Sequence, residues 1–180
     1  MELLKKRSVA LVLCVLAVLF STLASTKAGL SRECAAVTDG FSQGTRVAGY
    51  TQPSLKKTLN NLSGFAANIY SIIRDSGDFS ALKDAYEKMN MVLDAEKIDV
   101  SDAYDAYTKL MDELGGALPV LEDVNADAYD TFSGNIAGIK KTVEDSGYND
   151  TVRSYYRSNM GFPANILSDL AGIRPPELFE

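Results

Sequence analysis

The sequence has no histidine and only two cysteines among its 180 residues. Without histidine there can be no Ser-His-Asp triad, no Cys-His pair and no histidine ligand for a metal. Cys14 lies inside an apolar run and Cys34 follows it alone, so the chain has neither a disulfide framework nor a Cys-x-x-Cys motif. Because Arg32 is the one basic residue beside it, Cys34 is predicted to be a small core residue rather than a nucleophile.

Basic residues are outnumbered by acidic ones, with 18 Lys and Arg against 24 Asp and Glu. The formal net charge is −6, and Lys5, Lys6 and Arg7 sit together at the N-terminus, so the remainder is more acidic than the whole. Nucleic-acid binding needs clustered Lys and Arg, so no nucleic-acid partner is predicted. The acidity is interpreted as a well-solvated surface.

The longest apolar run lies near the N-terminus, where a basic start is followed by the residues from Val9 to Ala24. A spanning helix needs about 20 residues and the apolar core of a signal peptide about 7 to 15, so the run falls between them. We predict a single-pass anchor in the cell membrane, with residues 8–26 in contact with the bilayer. The Lys5–Arg7 cluster predicts that the N-terminus lies inside and the rest of the chain outside.

Glycine and proline divide the remainder. Gly40, Gly44, Gly49 and Pro53 are closely spaced, as in a loop or linker. The predicted domains are a signal-anchor or transmembrane segment, a juxtamembrane helix with a Gly-rich linker, and a helical bundle. They cover residues 1–28, 29–53 and 54–180 respectively.

From residue 55 onward, apolar residues recur in steps of three and four, as on the seam of a coiled coil. Four stripes result: Leu55, Leu59, Leu62, Ala66, Ile69 and Ile73; Leu82, Tyr86, Met89 and Leu93; Tyr104, Tyr107, Met111, Leu114 and Leu118; Tyr129, Phe132, Ile136, Ile139 and Val143. No strand-like alternation of useful length appears. The predicted fold is all-α, a long antiparallel helical bundle of three to four helices with a short C-terminal capping helix.

Helix boundaries are predicted from capping residues and helix breakers. The first helix is predicted to begin at the N-cap Ser54, and the second to run from Phe79 to Ile98. The third is predicted to be capped by Ser101 and to end or kink at Gly115-Gly116 and Pro119. The fourth is predicted to run from Asp127 to Met160 with a bend at Gly147.

One acidic stretch superficially matches a calcium loop. Asp123, Asn125 and Asp127 occupy loop positions 1, 3 and 5, but Ala128 stands where glycine is needed and Gly134 where a bidentate Glu is needed. An EF-hand is therefore rejected. These residues are predicted to cap and start a helix.

A second acidic group, Asp99, Asp102 and Asp105, lies on one helical face. Such carboxylates could bind a metal or share a proton, but a solvated face near a helix start is the favoured interpretation. We therefore predict no catalytic residue, no metal ligand, no cofactor-binding residue and no cofactor. A carboxylate-dependent envelope hydrolase that uses these three residues remains the alternative.

The segment GYNDTVRSYYRSNMGFPANILSDLAGIRPPELFE resembles the C-terminal part of the LemA family. The resembling residues are Tyr148, Asn149, Tyr155, Phe162, Pro163, Asn165, Ile166, Phe179 and Glu180. The chain departs from the family where Tyr155-Tyr156 replaces a second Tyr-Asn pair. The resemblance implies a bacterial protein with one N-terminal membrane segment followed by a long antiparallel helical bundle. It implies no reaction.

The same nine residues are predicted to form a structural end-cap. Pro163 ends the long helix, because the residue before a proline is disfavoured in the α region. Apolar residues after it are expected to fold back over one end of the bundle and fill its last gap. These residues are Ile166, Leu167, Leu170, Ile173, Leu178 and Phe179.

The function expected from the sequence is a non-enzymatic interaction or scaffold module at the cell envelope, with other envelope proteins as its partners. Besides the hydrolase, one alternative stays open. It is an extracytoplasmic sensor bundle whose N-terminal segment is cleaved as a signal peptide.

Overall fold

A computed structural model describes residues 2–44, 46–47, 49–161 and 164–180. The helices in this part of the chain are α1 (Glu2–Gln43), α2 (Leu55–Ile73), α3 (Ser80–Leu93), α4 (Val100–Val124), α5 (Ala126–Glu144), α6 (Tyr148–Asn159) and α7 (Ala164–Ala171). Strands β1 (Arg46–Val47) and β2 (Tyr50–Thr51) form a minimal antiparallel hairpin with Arg46 opposite Thr51. The prediction of an all-α protein is confirmed.

The chain divides into two compact units. The first contains the residues up to Val37 together with Ser154–Pro176, and the second contains Thr38–Arg153 together with Glu177–Glu180. The core of the second unit is built by four helices: α2 packs on α3, α4 and α5, and α4 packs on α3 and α5.

The stripe predicted for α2 is buried along its whole length. Leu59, Leu62 and Ile69 have no exposed surface, and the hydroxyl of Ser54 accepts the backbone N–H of Lys57 at 3.0 Å. The predicted N-cap and the predicted buried face of α2 are both confirmed. Burying each Leu or Ile stabilises the fold by about 1.5–3 kcal/mol.

The stripe predicted for α4 is displaced. The buried residues are Val100, Ala103, Ala106, Leu110, Leu114, Ala117 and Leu121, whereas Tyr104 and Tyr107 are half-buried at the edge of this face. Alanines at the centre let neighbouring helices approach closely, and tyrosines at the edge can keep their hydroxyls near solvent.

The boundaries of α3 and α4 also differ from prediction. α3 ends at Leu93 and not near Ile98. α4 is capped by Asp99 and not by Ser101, because the Asp99 carboxylate accepts the N–H of Asp102 at 3.1 Å. Of the two alternatives predicted at Gly115-Gly116 and Pro119, the helix end is wrong, since α4 continues through Pro119 to Val124, and the kink stays a prediction.

The predicted fourth helix is two helices. α5 ends at Glu144 and α6 begins at Tyr148, and Gly147 between them adopts a φ of +65°. Residues other than glycine disfavour this left-handed region. The helix therefore ends at the point where the predicted apolar stripe loses its spacing.

α1 is one unbroken helix from Glu2 to Gln43, so the predicted juxtamembrane helix continues the apolar segment. Ile166 and Leu170 on α7 are 47% and 78% exposed, and their closure over one end of the bundle stays a prediction. Phe162 and Pro163 lie outside the described residues, as does the side chain of Leu167.

Candidate interaction site

The last four residues of the chain, Glu177–Glu180, form what we call the docked tail. They lie in the second unit against the end of α1, the edge of α4 and the first turns of α6. The side chains that hold them form the tail groove, which consists of Phe41, Tyr104, Tyr107, Asn149 and Arg153. The two tyrosines are three residues apart on α4, and Asn149 and Arg153 are four apart on α6, so each pair shares a helical face.

The ring of Phe179 is enclosed by three aromatic rings. Its centroid lies 5.2 Å from that of Tyr104 with the planes at 87°, 5.7 Å from Tyr107 and 5.9 Å from Phe41. Phe179 is only 5% exposed. Edge-to-face aromatic pairs add about 0.5–1.5 kcal/mol to the free energy of burial.

Asn149 clamps the main chain of Phe179 from both sides. Its Nδ2 donates to the Phe179 carbonyl at 2.9 Å, and its Oδ1 accepts the Phe179 N–H at 2.8 Å. The hydroxyl of Tyr148 donates to the carbonyl of Glu177 at 3.1 Å. These bonds involve main-chain groups of the tail, so they select an extended peptide and not a particular side chain.

Arg153 forms an ion pair with the acidic last residue of the docked tail. Its Nη2 lies 2.6 Å from Oε2 of Glu180, and its Nη1 lies 3.7 Å from the carboxylate of Asp150. Both partners of the first pair are about half exposed. Such a pair contributes about 0.2–1 kcal/mol, and its role is to select charge and orientation.

Burial raises the pKa of the Tyr107 hydroxyl, and the nearby Glu144 and Tyr104 raise it further. Tyr107 therefore stays neutral at physiological pH. A cavity of about 390 Å³ opens beside the docked tail, lined in part by Lys140, Glu144 and Asp150. The tail groove thus holds a main-chain segment, an aromatic ring and a carboxylate of the same chain.

The structure brings together four of the nine predicted site residues: Tyr148, Asn149, Phe179 and Glu180. Tyr155 belongs to the first unit, where burial raises the pKa of its hydroxyl and the neighbouring Cys34 adds to the effect. Asn165 and Ile166 are exposed on α7. Phe162 and Pro163 lie outside the described residues, so the end-cap role of the whole set stays a prediction.

Sequence reasoning missed Phe41 and Arg153 and assigned Tyr104 and Tyr107 to the bundle seam. Arg153 could have been found, because it follows Asn149 at helical spacing within the LemA-like segment. Phe41 carried no such signal, since it lies in a stretch predicted to be a linker.

The other polar residues singled out in the sequence have structural positions. Asp99 caps α4, and Asp102 and Asp105 are exposed. The side chain of Asn125 accepts the N–H of Ala128 at 3.1 Å, so the predicted cap at the start of α5 is confirmed. Half-buried Cys34 donates its Sγ–H to the carbonyl of Arg174 at 3.0 Å. Within the described ranges, no group of three or more His, Cys, Asp and Glu residues could hold a metal ion.

Comparisons with known proteins do not place the chain: no family model, curated protein or solved structure matches it. The resemblance to the LemA family therefore rests on the residues of the C-terminal segment.

Proposed function

We propose that the protein is a membrane-anchored, non-enzymatic interaction module of the cell envelope, of the LemA type. It crosses the membrane once through α1, with its N-terminus inside and the second unit on the extracytoplasmic side. α2 to α5 then form the antiparallel bundle that the resemblance implies, and their mutual contacts support this arrangement.

The anchor is carried by the apolar part of α1, the one helix within the described residues that is long and apolar enough to cross a membrane. Its mean hydropathy reaches 2.4 and none of that window is buried in the protein. Phe20, for example, is 69% exposed. A run of large apolar side chains with no protein neighbours is costly in water and favourable in lipid.

Polar residues inside this run are satisfied within the helix. The hydroxyl of Thr22 donates to the carbonyl of Val18 at 2.8 Å, and that of Ser25 donates to the carbonyl of Thr22 at 3.0 Å. A hydroxyl bonded to its own helix can enter an apolar phase at low cost. The usable span therefore runs from Val9 through Ser25, which is 17 residues and lies at the lower end of the roughly 17–25 residues that a spanning helix requires.

The interaction role is supported by the tail groove. Its ring cage, amide clamp and arginine are the elements of a peptide-recognition surface. The acidic body supports a soluble domain held at the membrane, since a high net charge keeps a protein surface solvated.

Cysteine labelling tests the anchor and its orientation. In a chain with Cys14→Ser and Cys34→Ser, Asp75→Cys places a thiol at a side chain that is 92% exposed. We expect a membrane-impermeant maleimide to label this thiol on intact cells. Lys6→Cys in the same background is the matched control and should label only after permeabilisation.

Labelling of Lys6→Cys on intact cells, with Asp75→Cys protected, would reverse the orientation. Labelling of Asp75→Cys on a chain that remains in the supernatant after the membranes are sedimented would contradict the anchor itself.

A further inference from the structure

We propose that the tail groove is a recognition site for the Leu-Phe-Glu segment, and that it takes this segment from a second copy of the chain. The partner of the interaction module is then another copy, whose docked tail completes the groove. The inference rests on the proposed function in one respect, which is that the membrane concentrates the copies.

The groove recognises the segment through three separate features. Asn149 pairs with both main-chain groups of Phe179. The rings of Tyr104 and Tyr107 enclose the side chain of Phe179, and Arg153 pairs with the carboxylate of Glu180. All of these contacts fall within the last two residues, so a short peptide carries nearly the whole recognition element.

The docked tail belongs to a different compact unit from the residues directly before it. Glu177–Glu180 belong to the second unit, whereas the preceding residues Ser154–Pro176 belong to the first. Pro175 and Pro176 come directly before the tail. Two consecutive prolines have fixed φ angles and hold the chain extended, which favours a peptide that docks and leaves as one piece.

A tail from a second copy makes the same contacts as the chain's own tail. The balance between the two states then depends on local concentration and not on new contact energy, as in other exchanges of an identical element. Confinement to a membrane raises the concentration of neighbouring tails. Exchange is therefore expected among anchored copies and is expected to weaken on dilution in detergent.

Crosslinking between two distinguishable full-length chains tests the exchange. Both lack Cys14 and Cys34 through Ser substitutions; one carries Glu180→Cys and the other Arg153→Cys, and both are reconstituted into the same vesicles. We expect a short bismaleimide to join them into a heterodimer. The pair Glu180→Cys and Asp75→Cys is the matched control, because Asp75 is exposed and outside the groove. Its heterodimer yield is the Asp75→Cys background.

A second measurement uses the full chain with Phe179→Ala, whose own tail cannot fill the ring cage. The free peptide Pro-Pro-Glu-Leu-Phe-Glu should bind it and raise its melting temperature. The peptide with Ala in place of Phe should not. Adding Asn149→Ala to the chain should weaken binding at least about tenfold, as expected for the loss of two hydrogen bonds.

Two results overturn the inference. One is a heterodimer yield no higher than the Asp75→Cys background while both chains remain in the membrane fraction. The other is no binding of the peptide to a folded Phe179→Ala chain. If fractionation instead shows that the chains are not membrane-bound, the proposed anchor fails, and the peptide measurement still decides the groove.

Discussion

At the residue scale, Asn149 holds the docked tail more strongly than Arg153 does. The two hydrogen bonds from Asn149 are partly buried, so removing the amide leaves an N–H and a carbonyl with restricted access to water. A buried group left without its partner costs about 1–3 kcal/mol. The Arg153–Glu180 pair is half exposed and is weakened by water and salt.

Asn149→Ala should therefore lower the free energy of unfolding by about 1–3 kcal/mol. Asn149→Asp keeps an acceptor for the Phe179 N–H but places a carboxylate oxygen against the Phe179 carbonyl, so its effect should be at least as large as that of Asn149→Ala. Arg153→Gln should cost less than about 1 kcal/mol. Thermal unfolding of the detergent-solubilised chain, followed by circular dichroism, measures all three. An Arg153→Gln effect larger than that of Asn149→Ala would show that charge holds the tail.

The raised pKa of Tyr107 predicts that the stability of the fold falls at alkaline pH. Its pKa is raised in the fold, chiefly by burial, while the unfolded chain releases this proton near pH 10. The stabilisation is therefore complete below about pH 10 and is lost as the pH rises further through the folded pKa. Tyr107→Phe should flatten the fall in melting temperature above that pH. Parallel curves for the two proteins would exclude Tyr107 as the cause.

At the element scale, the junction of α5 and α6 depends on one glycine. Gly147 has a φ of +65°, so Gly147→Ala should destabilise the protein by about 1–2 kcal/mol. Gly138 is the matched control: it lies inside α5, and an added Cβ there meets nothing within 4 Å. Gly138→Ala should stabilise by about 0.5–1 kcal/mol. Equal melting temperatures for the two variants would contradict the proposed role of the turn.

The sequence predicted the start and the buried face of α2 correctly because one apolar stripe and one N-cap residue agreed. For α4 the signals conflicted: Gly115, Gly116 and Pro119 indicate an end, but Ala117 and Leu121 beyond them are buried. Burying Leu121 is worth about 1.5–3 kcal/mol, comparable with the roughly 3 kcal/mol that an interior proline costs. Local propensity alone could not settle such a balance.

The tail groove was predictable only in part, for a related reason. The LemA-like segment indicated Tyr148, Asn149 and Phe179, which all lie within that one C-terminal segment. Phe41 and Tyr104 reach the same place from 138 and 75 residues away from Phe179. Contacts that distant leave no trace in a periodicity, and aromatic residues at helical spacing fit a seam and a groove equally well.

At the scale of the whole molecule, α1 is one helix from Glu2 to Gln43 whose N-terminal part is apolar and exposed. Its residues from Leu30 onward include buried positions, namely Leu30 and Phe41. The apolar segment is thus continuous with the fold. The ring of Phe41 contacts that of Tyr148 at a centroid distance of 5.7 Å. Removing the N-terminal part of the chain with a cut after Phe41 is therefore expected to destabilise the second unit.

A charge in the apolar segment should disturb membrane insertion. Leu16→Arg places a guanidinium near the middle of the run, at a cost of about 2.5–3.5 kcal/mol. We expect a larger fraction of this variant than of the wild type to be released by an alkaline wash. Leu16→Ile is the conservative control and should stay in the membrane. Unchanged retention of Leu16→Arg would show that the helix centre is not in lipid.

The most direct test of the account is the intact mass of the protein recovered from alkaline-washed membranes. We predict a protein that still contains residues 1–28 and is retained in the membrane pellet, because α1 is the proposed anchor. A shorter chain that begins near residue 25 or 29 and is found in the supernatant would show that the segment is a cleaved signal peptide, and would contradict the anchored interaction module.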